Sequence, residues 1–385
     1  MKNSAPLLWL FDPIDFHGGS KVATAHLLSQ LPAHYQVLVI TSHANHWQTL
    51  DHAKVSYHCV NLYQPKWLKN CEQGWRYFIR HLVLAIQLIW LKLCIGRPEM
   101  CVGASGPGVD LALYLAKPWL NCPLLQCIHG PVAKSNTIAK ALLRCDLLFY
   151  LASTKQSLEH CLSLKLSNIE TSDFFAQAHC HLMQNGIPDS AWPRPRQQGA
   201  KGVLWAASLL KWKGLSLFLQ ASQQLAIPTP CTVCYIRPQN SQLAVDEAPI
   251  NLPYVRWYEA PNHLDEIRSQ HQIFVSTSQQ EPFGLSILEA MAAGLCPVIP
   301  DDGAWWHQQL SHGHNCIVYR ANDAQDLAHK LNYLQQHPER QKAIGYAAQQ
   351  VAEQYRAEVC YRPLVFKMLR AMAWQHLGGD QYAQH

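Results

Sequence analysis

The sequence predicts an α/β protein with two doubly wound domains facing each other across a cleft. Three observations predict it. Short apolar runs alternate with helical stretches along the chain. A proline-rich break divides that alternation into two series. At 385 residues, 49% hydrophobic and only 15% charged, the chain is too long for one ordinary core and too apolar to be disordered.

Residues 7–11 read as the first strand. A loop, Asp15-Phe16-His17-Gly18-Gly19-Ser20, follows, then a helix over 21–31 and a strand over 35–41. This β-α-β unit is the building block of a parallel sheet. Residues 100–103, 124–129, 147–151 and 179–183 continue the series as short apolar runs, the pattern of strands buried on both faces. The break at 185–199, NGIPDSAWPRPRQQG, holds three prolines and two glycines and reads as a linker. A second series then begins at 202–207, with a helix at 213–225, strands at 231–236 and 254–257, and a helix at 263–270. Strand 273–277, helix 285–293 and strand 297–300 complete it. The longest apolar stretch, 82–95 within 75–96, carries Gln87 and Lys92 and is short of the ~20 residues that span a bilayer. It reads as a buried helix, with an interfacial helix as the second reading.

Charge is uneven. Residues 1–185 hold 15 Lys+Arg against 10 Asp+Glu, and residues 186–385 hold 16 against 16. The basic half reads two ways: as a seat on an anionic surface, or as a solvated face with a small excess. No clustered Lys/Arg run points to nucleic acid. The fourteen cysteines are scattered, and 7–11 runs straight into Asp12, Pro13 and Asp15 rather than a leader cleavage site. Free thiols in the cytoplasm are the expectation, with peripheral contact at the inner face of a membrane in reach of the basic half. Cys231/Cys234 and His179-Cys180-His181 lack the further ligands a metal centre needs, so no metal and no cofactor are expected.

Ligands of such sheets bind at the carboxyl ends of the strands, so the informative loops are 12–20, 129–135, 185–187, 208–214 and 278–285. The last carries the strongest signal, Glu281-Pro282-Phe283-Gly284-Leu285-Ser286-Ile287-Leu288-Glu289-Ala290-Met291-Ala292-Ala293-Gly294. It leaves a strand and opens a helix, so amides near Phe283, Gly284 and Leu285 head the helix and suit a phosphate or sugar hydroxyl. Glu289, on the early turns, can hold a ribose diol. On composition alone, the simpler reading makes Glu281 a helix-dipole partner and Glu289 a surface residue. In the loop Ser208-Leu209-Leu210-Lys211-Trp212-Lys213-Gly214, a lysine at a helix start opposes the dipole, which disfavours a merely solvated Lys213.

The string E-P-F-G-x-x-x-x-E-A-M-A-x-G resembles the E-x7-E signature of retaining family-4 glycosyltransferases, the glycosyl transferases group 1. Every named position is present. Residues 200–355 follow that family's second domain throughout, and the first half follows it more loosely. The loop 208–214 resembles the family's G-R-L-x-x-x-K-G. Lys213 and Gly214 match, Ser208 stands at the arginine, and Lys211 is a possible substitute at different spacing. His17-Gly18-Gly19 resembles the glycine pair of the family's first loop, and Cys127-Ile128-His129-Gly130 its T-x-H-D/G element. Asn185-Gly186-Ile187-Pro188 resembles its N-G-V-D turn, and Gly313-His314-Asn315-Cys316-Ile317-Val318 its G-x-N-G-x-L/V strand. The family's G-G-x-x-E is eroded to Gly303-Ala304-Trp305-Trp306-His307.

The resemblance implies a GT-B fold of two Rossmann-like domains. It places an acceptor-side domain at 1–187, a donor-binding domain at 188–355 and a helix over 356–385 crossing back to the first. It implies transfer of a sugar from a nucleoside diphosphate to a glycan or lipid-linked acceptor, with retention and without metal, in cell-surface polysaccharide or glycolipid synthesis. Lys213 would hold the leaving diphosphate with Ser208 in the place of its partner cation. Glu289 would hold ribose, Glu281 the sugar hydroxyls, and His129 the sugar from the first domain. Gly18, Gly19, Phe283, Gly284 and Leu285 would line the donor. The alternatives are a catalytically weak binding or assembly subunit, motivated by Ser208, and a nucleotide-sugar epimerase on the same fold.

Overall fold

The computed structural model describes residues 5–14, 18–42, 44, 47, 56–69, 71, 73–226, 229–238 and 243–376. The chain divides into two compact α/β units. The described residues up to Gly186 and from Ala357 onward form the first, and Ile187–Arg356 the second.

In the first unit, β1 (Leu7–Asp12), α1 (Gly19–Leu28), β2 (Gln36–Thr41) and β3 (Ser56–Asn61) lead into a long helix, α2 (Gly74–Ile95). Then come β4 (Met100–Gly103), α3 (Leu111–Leu120), β5 (Leu124–Ile128), α4 (Asn136–Leu142), β6 (Leu147–Leu151), α5 (Lys155–Leu162), α6 (Asn168–Ala176) and β7 (Cys180–Met183). Among the described residues seven parallel strands lie in the order β3-β2-β1-β4-β5-β6-β7. β5 and β6 are buried at every position, as strands covered on both faces must be. The sequence reading did not anticipate β3, because Ser56, His58 and Asn61 interrupt the apolar run that marks the other strands.

The second unit contains β8 (Val203–Ser208), α7 (Leu215–Ser222), β9 (Cys231–Ile236), β10 (Val255–Glu259), α8 (Leu264–Ser269), β11 (Ile273–Val275) and α9 (Leu285–Ala292). It continues with β12 (Cys296–Asp301), α10 (Trp305–Gln309), β13 (Ile317–Arg320), α11 (Ala324–Gln336) and α12 (Pro338–Ala352). Its described strands are all parallel, in the order β10-β9-β8-β11-β12-β13. The final helix, α13 (Ala357–His376), belongs to the first unit and packs on α1 and β7. Gly186 permits its approach: a Cβ there would stand 2.9 Å from Ala357 Cα.

Both sheets are doubly wound, so each reverses its strand order once, between β1 and β4 and between β8 and β11. The crevice at the carboxyl ends of such a pair is where ligands of this architecture bind.

Two expectations are corrected. The helix expected over 213–225 starts at Leu215, and Lys213 lies in the single 3₁₀ turn before it. Gly214 makes the break. It is left-handed at φ 72°, and a Cβ there would meet Thr277 O at 2.4 Å, so no helix continues through it. The stretch read as a buried helix, now α2, is buried along one face only. Arg80, His81, Leu84, Ala85 and Leu88 face inward, while Trp75, Phe78, Leu82, Ile86, Trp90 and Leu93 are exposed. The helix is apolar all round, yet only one side of it meets the core.

Candidate active site

The loops leaving β8 and β11 meet at the strand-order reversal of the second unit. Thr277 ties them together. It accepts from Trp205 Nε1 at 2.9 Å and donates to Lys213 O at 2.8 Å, while Gln279 N donates to Trp212 O at 2.9 Å. The outcome is a direct ion pair between two predicted residues: Lys213 Nζ lies 2.5 Å from Glu281 Oε2, with both side chains mostly buried. The ammonium also stands over the Trp212 ring, 4.0 Å from its centroid, which fixes its direction.

Immediately beyond Glu281, Gly284 turns the chain into α9. Its φ of 82° is left-handed, and a Cβ would crowd Ile287, Glu281 and Trp306. α9 therefore opens with no side-chain cap, and the amides near Phe283, Gly284 and Leu285 lie at its positive end. Beside the neighbouring helix α7, whose first residues are Leu215 and Ser216, lies the carboxyl of Asp246, and the nearby backbone amides favour its charged form. One of the two helix starts thus already has a protein carboxyl near it. Lys211 is exposed and favours the charged form of that same Asp246. Ser208 Oγ is buried and has no hydrogen-bond partner.

Glu289 lies on α9 and carries a partner that the sequence reading missed. Arg268, at the end of α8, donates to Glu289 Oε2, and its other terminal nitrogen lies 3.1 Å from Asp265 Oδ1. The Arg268 side chain is 6% exposed, so this is a buried cation. Burial raises the Glu289 pKa, the Arg268 charge opposes that rise, and Asp265 adds to it. No local motif announces Arg268, which lies twenty-one residues from Glu289. Under the loop, Trp306 donates to Gly284 O at 3.1 Å and meets Phe283 edge-on at 5.3 Å. In the eroded G-G-x-x-E segment an indole thus buttresses the turn from which Glu281 projects.

The first unit's reversal carries a different polar set. Asp12, ending β1, binds Lys21 Nζ, Trp47 Nε1 at 2.8 Å and Ser105 Oγ at 2.9 Å. Asp110 is buried beside them. Its carboxyl is pushed up to about 8 by burial, against hydrogen bonds from Gln126 and Ser105. Gly18 precedes α1 and Gly19 opens it, while His17 lies outside the described residues. His129 follows β5; its Nε2 is 3.0 Å from Thr24 Oγ1, and its buried Nδ1 has no partner. The structure therefore gathers Lys213, Glu281, Phe283, Gly284 and Leu285 into one site in the second unit. His129, Gly18 and Gly19 lie at the carboxyl edge of the first unit's sheet. Among the described residues no three His, Cys, Asp or Glu stand together as a metal centre would require.

Burial lowers the His129 pKa to about 4 from the ordinary 6.5. The unfolded chain thus takes up this proton first as the pH falls. Stability contributed by the neutral ring is intact above 6.5, is lost on descent toward 4, and is level below. At pH 4 the loss is on the order of 3 kcal/mol. His129→Gln should accordingly show a shallower fall in unfolding free energy across that window in urea titrations. Parallel curves for variant and parent would show that the folded ring protonates as readily as the unfolded one.

Residues 188–351 match the family model described as Glycosyl transferases group 1. Over 198 residues the chain is 25% identical to the alpha-maltose-1-phosphate synthase of Mycolicibacterium smegmatis, a match covering 44% of this chain and 51% of the relative. The chain thus spans about half the length of the curated relative it matches. Among solved structures, Anabaena HepE in complex with UDP-glucose superposes with a TM-score of 0.69 at 13% identity, covering 95% of this chain and 99% of that one. Sucrose-phosphate synthase from Thermosynechococcus elongatus superposes at 0.64 and 13% identity, covering 98% of this chain and 100% of that one. The fold is that of the GT-B glycosyltransferases, two Rossmann-like parallel-sheet units.

Proposed function

We propose that this chain, with a Glycosyl transferases group 1 match over its second unit and a GT-B fold throughout, is a retaining nucleotide-sugar glycosyltransferase. The observation that carries the reading is the convergence of Lys213, Glu281 and the uncapped start of α9 at the strand-order reversal of the second unit. A fixed cation and helix-start amides suit a diphosphate, and a carboxylate beside them suits sugar hydroxyls. In this reading the bond from the anomeric carbon to the diphosphate oxygen breaks, and the acceptor oxygen attacks from the same face. The acceptor's proton passes to the departing phosphate, whose charge Lys213 and the α9 amides receive. Cationic side chains and amides do the work a metal would otherwise do. The first unit takes the acceptor, a glycan or lipid-linked molecule of cell-surface polysaccharide or glycolipid synthesis.

A panel of nucleotide sugars tests the reading by thermal shift and donor hydrolysis, beginning with UDP-glucose, which HepE binds. One nucleoside-diphosphate sugar should raise the melting temperature and be hydrolysed or transferred, with turnover surviving EDTA. Turnover abolished by EDTA and restored by manganese or magnesium would overturn the metal-free part. A second reading, a binding subunit with little turnover, draws on Ser208 and on Lys213 being already engaged by Glu281. Stabilisation by a donor that is never hydrolysed would select it.

Ser208 supplies a separate test. If the loop lacks one of two cations, Ser208→Arg should raise donor affinity or turnover by severalfold, and Lys211→Ala should be nearly silent because Lys211 is exposed and its charge acts on Asp246. Lys211→Ala as harmful as Lys213→Ala, measured as kcat/KM, would show that Lys211 has taken over the second position.

A further inference from the structure

α2 is a 22-residue helix with two apolar faces on opposite sides. At 3.6 residues per turn, Trp75, Phe78, Leu82, Ile86, Trp90 and Leu93 fall within about 60° of one line along it, and the buried face lies opposite. These six side chains are between 52% and 74% exposed. Aromatic side chains extend the stripe at both ends. Gln87 straps the preceding loop to the helix, accepting from Tyr63 N and donating to Tyr63 O, both at 2.9 Å. That loop presents exposed Tyr63 and Trp67, the latter with its ring 6.5 Å from Trp75. At the other end Lys92 donates to the carbonyl of exposed Trp119.

Charge names the partner. Residues 61–97 carry Lys66, Lys69, Arg76, Lys92 and Arg97 away from the core, Arg80 being buried, against the single acid Glu72, which lies outside the described residues. Arg76 sits over the Trp75 ring at 5.4 Å, at the edge of the stripe. Cations flanking an apolar stripe, with tryptophan at its ends, match an interface of acidic headgroups over acyl chains. A second copy of the same face would bring these cations together with no described carboxylate to pair them. Nor can α2 span a bilayer in this fold, because Arg80 and His81 hold its other face in the core. We propose that α2 lies in the plane of an anionic phospholipid bilayer, with the stripe inserted among the lipids and the basic residues on their headgroups. This holds whatever reaction the second unit performs.

The test is co-sedimentation of the full chain with vesicles of phosphatidylcholine alone and of phosphatidylcholine with phosphatidylglycerol. Binding should be stronger to the anionic vesicles, and brominated phosphatidylglycerol should quench tryptophan emission. Leu82→Glu with Trp90→Glu, both exposed, should weaken binding about tenfold or more while circular dichroism and donor hydrolysis in solution stay unchanged. Lys66→Glu with Arg76→Glu should remove the preference for anionic lipid. Unweakened binding by the stripe variant, or absent quenching, would overturn the proposal. So would a dimer in sedimentation velocity that the stripe variant dissociates, which would assign the face to self-association.

Discussion

Lys213→Ala is expected to lower kcat/KM for donor turnover by about a hundredfold or more, the equivalent of ~3 kcal/mol of transition-state stabilisation. The size follows from position. Lys213 is the cation that the second unit's reversal holds beside the start of α9, and Ser208 offers no second charge. The lysine is preset: Thr277 binds its carbonyl, Trp212 lies under its ammonium, and Glu281 receives it at 2.5 Å. Removing it also leaves the mostly buried Glu281 without its partner, so some loss of stability, about 1–3 kcal/mol, accompanies the kinetic effect. Glu281→Gln separates the two roles. It frees Lys213 for the diphosphate, so nucleoside-diphosphate affinity should hold or rise while sugar transfer falls. Activity within about twofold of the parent in Lys213→Ala, assayed below its melting transition, would remove this loop from the donor site.

Glu289→Ala should weaken nucleoside-diphosphate binding by on the order of 1.5–3 kcal/mol, tenfold or more in Kd by calorimetry. The structure adds a second consequence absent from the sequence. Glu289 neutralises the buried Arg268, which without it retains, among the described residues, the half-exposed Asp265. Breaking such a pair typically costs about 3–5 kcal/mol when one partner stays buried, so the melting temperature should fall as well. Arg268→Met is the informative control. It removes the cation with the carboxylate left in place, so stability should fall while Glu289 remains present for ribose. Nucleotide affinity unchanged in Glu289→Ala, with stability alone reduced, would make this glutamate an architectural partner of Arg268.

Much of this protein is legible in one dimension. Alternating short apolar runs and helical stretches announced two parallel-sheet units, because strands covered on both faces must be apolar throughout. The turn at Gly284 was legible because a left-handed residue followed by a helix start calls for glycine between a strand and an apolar helix. What stayed hidden involves long-range pairing or burial. β3 is masked by its polar residues. The exposure of one side of α2 depends on what packs against it, and composition reports only that both sides are apolar.

By itself, then, the sequence determined the run of parallel strands apart from β3, the two-unit plan, the loops that would carry Lys213 and Glu281, and the helix that would carry Glu289. Only the tertiary structure decided how those charges are paired. Lys213 and Glu281 are sixty-eight residues apart and Arg268 and Glu289 twenty-one, and nothing in local spacing fixes either contact. The reversal of strand order between β8 and β11 does so for the first pair. It sets the ends of two non-consecutive strands side by side, so their loops share one crevice and a lysine from one meets a glutamate from the other.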